Sequence, residues 1–280
     1  MNNEDLEKTV IDRTRTLFGR HRALVGMVHV GALPGTPRHE RALDGLLAAA
    51  AADAELLHEA GFDALIVENM HDLPYLRRRV GPEIVASMSI LVRAIRETVD
   101  LPVGVQVLAG ANQEALAVAH AAGASFIRAE GFSYASVADE GLLEEADAGP
   151  LLRYRRMIGA DDVAIIADVH KKHSAHAITS DVTLEEQVST AEFMGADGVV
   201  ITGSATGSPT DINHLARASG RSNLPVIVGS GADPDSIGSL LRDADAVIVG
   251  SSIKVEGRWS NPVDEGRAQA LVEAARRDHP

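Results

Sequence analysis

Eight times along the chain, a short apolar run rich in Val and Ile is followed by an Ala-rich or amphipathic stretch, and no linker interrupts the succession. β-Branched side chains are stiff at χ1 and pack well on a pleated surface, so such runs read as strands buried on both faces. The predicted strands cover residues 24–30, 64–68, 103–108, 126–130, 163–169, 198–202, 226–229 and 246–250. The predicted helices cover 46–60, 84–98, 113–122, 151–158, 184–194, 213–218, 237–241 and 265–276. Several helices exit through a small-residue formula, as in Gly61-Phe62-Asp63-Ala64, Gly123-Ala124 and Gly195-Ala196-Asp197-Gly198. Glycine there supplies the left-handed conformation that ends a helix, and the next apolar run enters a strand. Helix starts are marked by Ser180 or Asp181 ahead of Thr183 and Glu186, and by Asp233-Pro234.

Eight β-then-α units predict an α/β fold, a single closed (β/α)₈ barrel rather than an open doubly wound sheet. No Gly-x-Gly-x-x-Gly follows the first strand, which also weighs against a dinucleotide-binding fold. A length of 280 residues is typical of one such barrel. Residues 23–280 are assigned to it, and residues 1–22 to an N-terminal helical extension. Within that extension, residues 4–18 are amphipathic, with Leu6, Val10, Ile11, Thr14 and Leu17 near one face. The helix either covers the N-terminal end of the barrel or makes a dimer contact, and an exposed apolar helix is the reason to expect a homo-oligomer. The longest connection, residues 130–149, holds Gly131, Gly141 and an acidic cluster, and reads as a mobile loop above the barrel.

Composition narrows the function classes. Aromatic residues are only 3% of a chain that is 45% hydrophobic, so the core is built from Ala, Val, Ile and Leu. Twenty-six basic against 40 acidic side chains give a net charge of −14, which opposes a nucleic-acid or anionic-membrane partner. An anionic ligand must then be held by local donors. The absence of cysteine excludes disulfides and thiolate metal sites. No stretch approaches the roughly 20 apolar residues of a membrane span. The first residues carry no targeting pattern, so a soluble cytoplasmic protein is expected.

A barrel brings every strand C-terminus to one rim, where active sites form. Strands seven and eight end in nearly the same words, Val226-Ile227-Val228-Gly229-Ser230-Gly231 and Val247-Ile248-Val249-Gly250-Ser251-Ser252, and strand six ends more loosely in Thr202-Gly203-Ser204. Glycine lets backbone N–H groups approach an anion, and serine adds a hydroxyl donor. Gly203, Ser204, Gly229, Ser230, Gly231, Gly250, Ser251 and Ser252 are therefore the candidate phosphate-binding residues. The segment starting at Asp233 offers a helix N-terminus beside them.

Charged residues end other strands. Asp168 and His170 are two apart and share a face, and His29 and Glu68 end the neighbouring first and second strands. His29, Glu68, Asp168 and His170 are the candidate catalytic residues, as a carboxylate–imidazole set for acid/base work. No cofactor is fixed by these residues, and a divalent metal held by the same four is the alternative use. Arg128 and Glu130 form either a buried ion pair or a substrate contact. Asn69 and Gln106 are candidates to bind hydroxyls, with His71 and Asp72 opening the second loop. Thr202, Ser204 and Asp211 line strand six and its loop. Lys171 and Lys172 are either solvated or Schiff-base amines, and Lys254 is placed to reach a phosphate.

These motifs together resemble the BtpA/SgcQ family, within the ribulose-phosphate-binding barrel group. The resemblance rests on Val25-Gly26-Met27-Val28-His29-Val30-Gly31-Ala32-Leu33-Pro34-Gly35, Glu68-Asn69, Asp168-Val169-His170-Lys171-Lys172-His173 and Thr202-Gly203, and spans about residues 20 to 275. That family is associated with photosystem I accumulation in cyanobacteria and with a sugar-metabolism gene cluster in enteric bacteria, which implies no single reaction. The resemblance implies a phosphorylated small-molecule ligand, a sugar or nucleotide-like metabolite, and an enzyme of isomerase, lyase or C–N/C–O cleavage type. The alternative is a non-catalytic assembly or regulatory factor, of the photosystem I biogenesis type, that uses the barrel as a ligand-gated scaffold.

Overall fold

In a computed structural model, residues 3–170, 174–202 and 222–278 are described. The segment read as a helix over 213–218, together with Lys171, Lys172, Gly203, Ser204 and Asp211, lies outside the described residues, as does the side chain of His170. Each of the eight predicted strands is present: β1 (Ala23–His29), β2 (Ala64–Glu68), β3 (Val103–Gln106), β4 (Phe126–Ala129), β7 (Ala164–His170), β9 (Gly198–Ile201), β10 (Val226–Val228) and β11 (Ala246–Val249). They close into one parallel barrel in the order β1-β11-β10-β9-β7-β4-β3-β2. The described helices are α1 (Asn3–Phe18), α2 (Leu43–Ala60), α3 (Pro82–Thr98), α4 (Asn112–Ala122), α5 (Ala148–Met157), α6 (Leu184–Phe193), α7 (Ile237–Asp243) and α8 (Glu265–Asp278).

The period-2 alternation of a strand sorts side chains between two cores. Val25, Met27, Ile66, Phe126, Ile166, Val200, Ile227 and Ile248 point inward and form one cluster. Their neighbours Leu24, Val28, Leu65, Val67, Ile127, Ile165, Val199 and Val247 point outward and pack with the helices. Gly104 makes room for the largest inward side chain, since a Cβ there would lie 2.1 Å from the Phe126 ring.

The N-terminal helix closes the floor of the barrel. Phe18 meets Phe126 edge to face, with centroids 5.3 Å apart, and Leu17 joins the same inward cluster. Burying a Phe side chain contributes about 1.5–3 kcal/mol. The last turn of α1 is therefore covered by its own barrel, while Leu6, Val10 and Ile11 nearer its start stay half-buried.

The helix-exit formula has a further use at this floor. Asp63, Asp197 and Asp245 stand just before β2, β9 and β11, and each carboxylate accepts the backbone N–H of a residue in an adjacent strand. Leu24 donates to Asp63, Ile165 to Asp197 and Val226 to Asp245, at 2.7 to 2.8 Å. The glycines end their helices as expected, with Gly61 at φ 95° and Gly123 at φ 76°. Helix α6 starts later than its sequence signal: Thr183 itself is the cap and forms a capping box with Glu186.

Residues 130–149 hold more structure than a mobile loop. They contain the hairpin β5 (Ser136–Ala138) and β6 (Gly141–Leu143), which joins β8 (Ser174–Ala175) in a three-stranded antiparallel sheet. The two short runs, Ser-Val-Ala and Gly-Leu-Leu, pair across the tip Asp139-Glu140, and Gly141 takes φ 107°. Arg77 and Arg78, from the loop after β2, fix this segment by donating to the carbonyls of Leu142, Glu145, Glu130 and Gly131.

Candidate functional site

The inward alternation that builds the core continues one step past its last apolar layer. On β1 the inward positions run Val25, Met27, His29; on β2 they run Ala64, Ile66, Glu68; on β4 they begin with Phe126 and Arg128. The rim layer therefore contains His29, Glu68, Gln106 and Arg128 on one side and Gly229 and Gly250 on the other. All of them line one cavity of about 460 Å³, with Glu130, Ser230, Gly231, Ser251 and Ser252. That volume lies within the range of small-molecule sites.

The glycines are needed where they stand. A Cβ at Gly229 would fall 2.5 Å from Val200 Cγ1 and 2.6 Å from Thr202 Cγ2, and Gly231 takes φ 81°. Gly229→Ala is expected to cost about 1–3 kcal/mol of stability through overpacking. Chemical denaturation would check this, and a loss under 0.5 kcal/mol would contradict the packing. Ser252 Oγ donates to the carbonyl of Ala232 at 2.7 Å, so this serine ties the two glycine turns together. The segment after Gly231 offers no open helix end. Asp233 Oδ1 already accepts the N–H groups of Asp235 and Ser236.

His29 is oriented by a loop from the far end of the chain. Its Nδ1 is 2.9 Å from the carbonyl oxygen of Trp259. A carbonyl only accepts, so Nδ1 carries the hydrogen and Nε2 is left to exchange protons. Nε2 lies 3.5 Å from Glu68 Oε2, and both groups are almost fully buried. Two such groups at this distance can pass a proton between them, which is the arrangement of an acid/base pair.

Arg128 pairs with Asp168, not with its strand neighbour Glu130. Its Nη2 and Nε donate to Asp168 at 2.9 to 3.2 Å, and the pair is buried. Burial opposes the guanidinium charge, but Asp168, and behind it Glu68 and Glu130, outweigh that and raise its pKa. The guanidinium also reaches toward the glycine turns, since a Cβ at Gly229 would be 3.2 Å from Arg128 Nη2. Asp168 thus fixes the one arginine of the cavity wall among the described residues and stands behind it. Glu130 instead accepts from Gln106 Nε2 at 3.1 Å.

Other rim candidates are engaged elsewhere. Asn69 donates to Asp72 and accepts from the N–H of Leu108, and Asp72 accepts from the N–H of Leu33. The expected hydroxyl-binding amide is therefore a stitch between three loops, and burial raises the pKa of Asp72. His71 faces the carbonyls of Val30 and Ser260 and packs on Trp259. Lys254 does not reach a phosphate. It is wholly buried, with Nζ 3.0 Å from Asp53 Oδ2, and the 3₁₀ turn Ser251–Ile253 directs it behind the glycine turn toward α2. Burial lowers its pKa against the pull of Asp53. Thr202 is buried beside Gly229. Among the described residues no group of three or more His, Asp and Glu forms a metal cage.

Sequence reading missed Tyr75, Glu140 and Trp259, which also line the cavity. Trp259 left one signal: it is the single tryptophan of the chain, in a loop of Gly, Arg, Ser and Asn with no apolar pattern to explain it. No helix among the described residues is long and apolar enough to cross a membrane.

Comparison with known proteins gives the chain relatives along nearly its whole length and a shared fold. An uncharacterized mitochondrial protein of Caenorhabditis elegans is 44% identical over 91% of this chain and 94% of its own length. The photosystem I biogenesis protein BtpA of Synechocystis is 39% identical over 92% of this chain and 89% of its own. Solved structures share the fold at low identity. One is (S)-3-O-geranylgeranylglyceryl phosphate synthase from Thermoplasma acidophilum in complex with sn-glycerol-1-phosphate, at TM-score 0.61 and 18% identity, covering 97% of this chain and 98% of that one. Another is thiamine phosphate pyrophosphorylase from Pyrococcus furiosus, at TM-score 0.57 and 13% identity, covering 95% and 99%. The BtpA family profile matches residues 20–277, the whole barrel from β1 to α8, and the chain belongs to that family.

Proposed function

We propose that the protein is a cytoplasmic enzyme that binds a phosphorylated small molecule in the barrel mouth and moves a proton on it, in an isomerisation, lyase or C–N/C–O cleavage reaction. One observation carries this reading: the His29–Glu68 pair stands in the same 460 Å³ cavity as the Gly229–Gly231 and Gly250–Ser252 turns. In this reading the turns and Arg128 hold the phosphate, while Asp168 positions Arg128. His29 Nε2 and Glu68 exchange the proton. His170, Lys171, Gly203 and Ser204 remain candidates for the same mouth. A solved neighbour of the same fold was crystallised with a glycerol phosphate, which supports a phosphate ester as the ligand class.

The test is a panel of sugar phosphates incubated with the protein in D₂O and followed by ¹H and ³¹P NMR. Solvent deuterium or a new phosphorus resonance is expected with the parent protein. The Glu68→Gln variant is expected to be slower by about 10²–10⁴-fold. The second reading, a ligand-gated assembly factor, draws on the name of the cyanobacterial relative. Binding of a phosphate ester with no chemical change in it would favour that reading and sink the enzymatic one.

A further inference from the structure

The two halves of the cavity wall differ in what they can recognise. Around the ring, β3 stands opposite β10 and β4 opposite β11, so Gln106 and Glu130 face the glycine turns across the mouth. Arg128 extends from β4 toward the turns. The charges left on the far side, among the described residues, are the carboxylates Glu68, Glu130, Asp139 and Glu140. Tyr75 stands among them, and its pKa is raised first by burial and then by Glu68, Glu140 and Glu130. Its hydroxyl donates to the Met70 carbonyl, so it adds no free donor to offset them.

Two acceptors in this wall point to what the far half binds. Gln106 is 2% exposed and its Oε1 has no hydrogen-bond partner among the described residues; the same holds for Glu140 Oε2 at the hairpin tip. The amide orientation follows from its neighbour: Nε2 donates to Glu130, and a flipped amide would set oxygen against carboxylate oxygen. A buried acceptor without a donor is costly, and a ligand's N–H or O–H groups would relieve it. A second anion there would meet these four carboxylates in a low-dielectric cavity.

We propose that the ligand is a phosphate ester whose other end is a hydrogen-bond-donating head without negative charge, an amino- or polyhydroxy-sugar phosphate, selected by Gln106 Oε1, Glu140 and the carboxylates beside them. This rests on the reading that the glycine turns and Arg128 hold the phosphate. The carboxylate wall then acts as a filter, because a sugar acid phosphate of the same length would bring a second carboxylate into it.

Calorimetric titration of the full chain with four probes tests this: inorganic phosphate, glucose 6-phosphate, glucosamine 6-phosphate and 6-phosphogluconate. The two sugar phosphates are expected to bind at least about tenfold tighter than inorganic phosphate, and 6-phosphogluconate at least about tenfold weaker than glucose 6-phosphate. Glu140→Gln, which removes a charge from the wall but keeps an acceptor oxygen, is expected to raise the affinity for 6-phosphogluconate relative to that for glucose 6-phosphate by about threefold or more. Equal or tighter binding of 6-phosphogluconate by the parent protein overturns the filter. Sugar phosphates binding no better than inorganic phosphate overturns the head-group assignment and leaves the phosphate turns standing. No binding of any probe, inorganic phosphate included, removes both.

Discussion

Replacing Asp53 with Ala is expected to lower the unfolding free energy by about 3–5 kcal/mol, a large effect for a residue on an outer helix. Asp53 comes from α2, and its two oxygens hold two ends of one loop. Oδ2 receives Lys254 Nζ at 3.0 Å and Oδ1 receives the N–H of Val263 at 2.9 Å. Between those points the chain makes a short excursion that delivers the Trp259 carbonyl to His29. Without the carboxylate, the Lys254 ammonium is buried and uncompensated. Adding Lys254→Met to Asp53→Ala should therefore recover part of the loss, since the pair is then replaced by an apolar group. Denaturant unfolding of the three variants measures this, and a single-variant loss below 1 kcal/mol would show that the pair does not hold the loop.

The second large effect concerns Asp168. Its side chain is 1% exposed and is the anchor of Arg128, so Asp168→Ala leaves a buried guanidinium without its partner. The expected cost is again about 3–5 kcal/mol. The stability of this variant should also depend on anions. If Arg128 belongs to the phosphate site, bound phosphate replaces the missing charge, and millimolar inorganic phosphate should raise the melting temperature more in Asp168→Ala than in the parent protein. Equal shifts in both would detach Arg128 from the anion site. A plain alanine scan read only through turnover would miss this, because lost activity here would mix lost folding with lost chemistry.

The barrel was legible because its signal is periodic. Val- and Ile-rich runs, and glycines closing several of the helices, repeat with the fold, and the same period 2 carries His29, Glu68, Gln106 and Arg128 to the inward rim. Partners across strands were not legible. Arg128 has Glu130 two residues away on its own strand, but Phe126 pairs with Ala164 in register, which sets Asp168 within reach of the guanidinium. Lys254 follows a strand end as a phosphate-binding lysine would, and only the 3₁₀ turn before it sends the side chain the other way. Tyr75, Glu140 and Trp259 come from loops, where no repeat announces which side chain faces the mouth. The hairpin over residues 136–143 escaped notice because strands of three residues are shorter than the window in which alternation can be recognised.

The position of Trp259 gives the protein a spectroscopic handle. The only indole in 280 residues sits in the cavity wall, 6.4 Å by ring centroid from His29 and 5.0 Å from His71. Its emission therefore has a single origin, and it lies beside the imidazole whose protonation the chemistry would change. Ligand entry and proton movement would both be written into the intrinsic fluorescence of the unlabelled chain, on the time scale of the binding event itself.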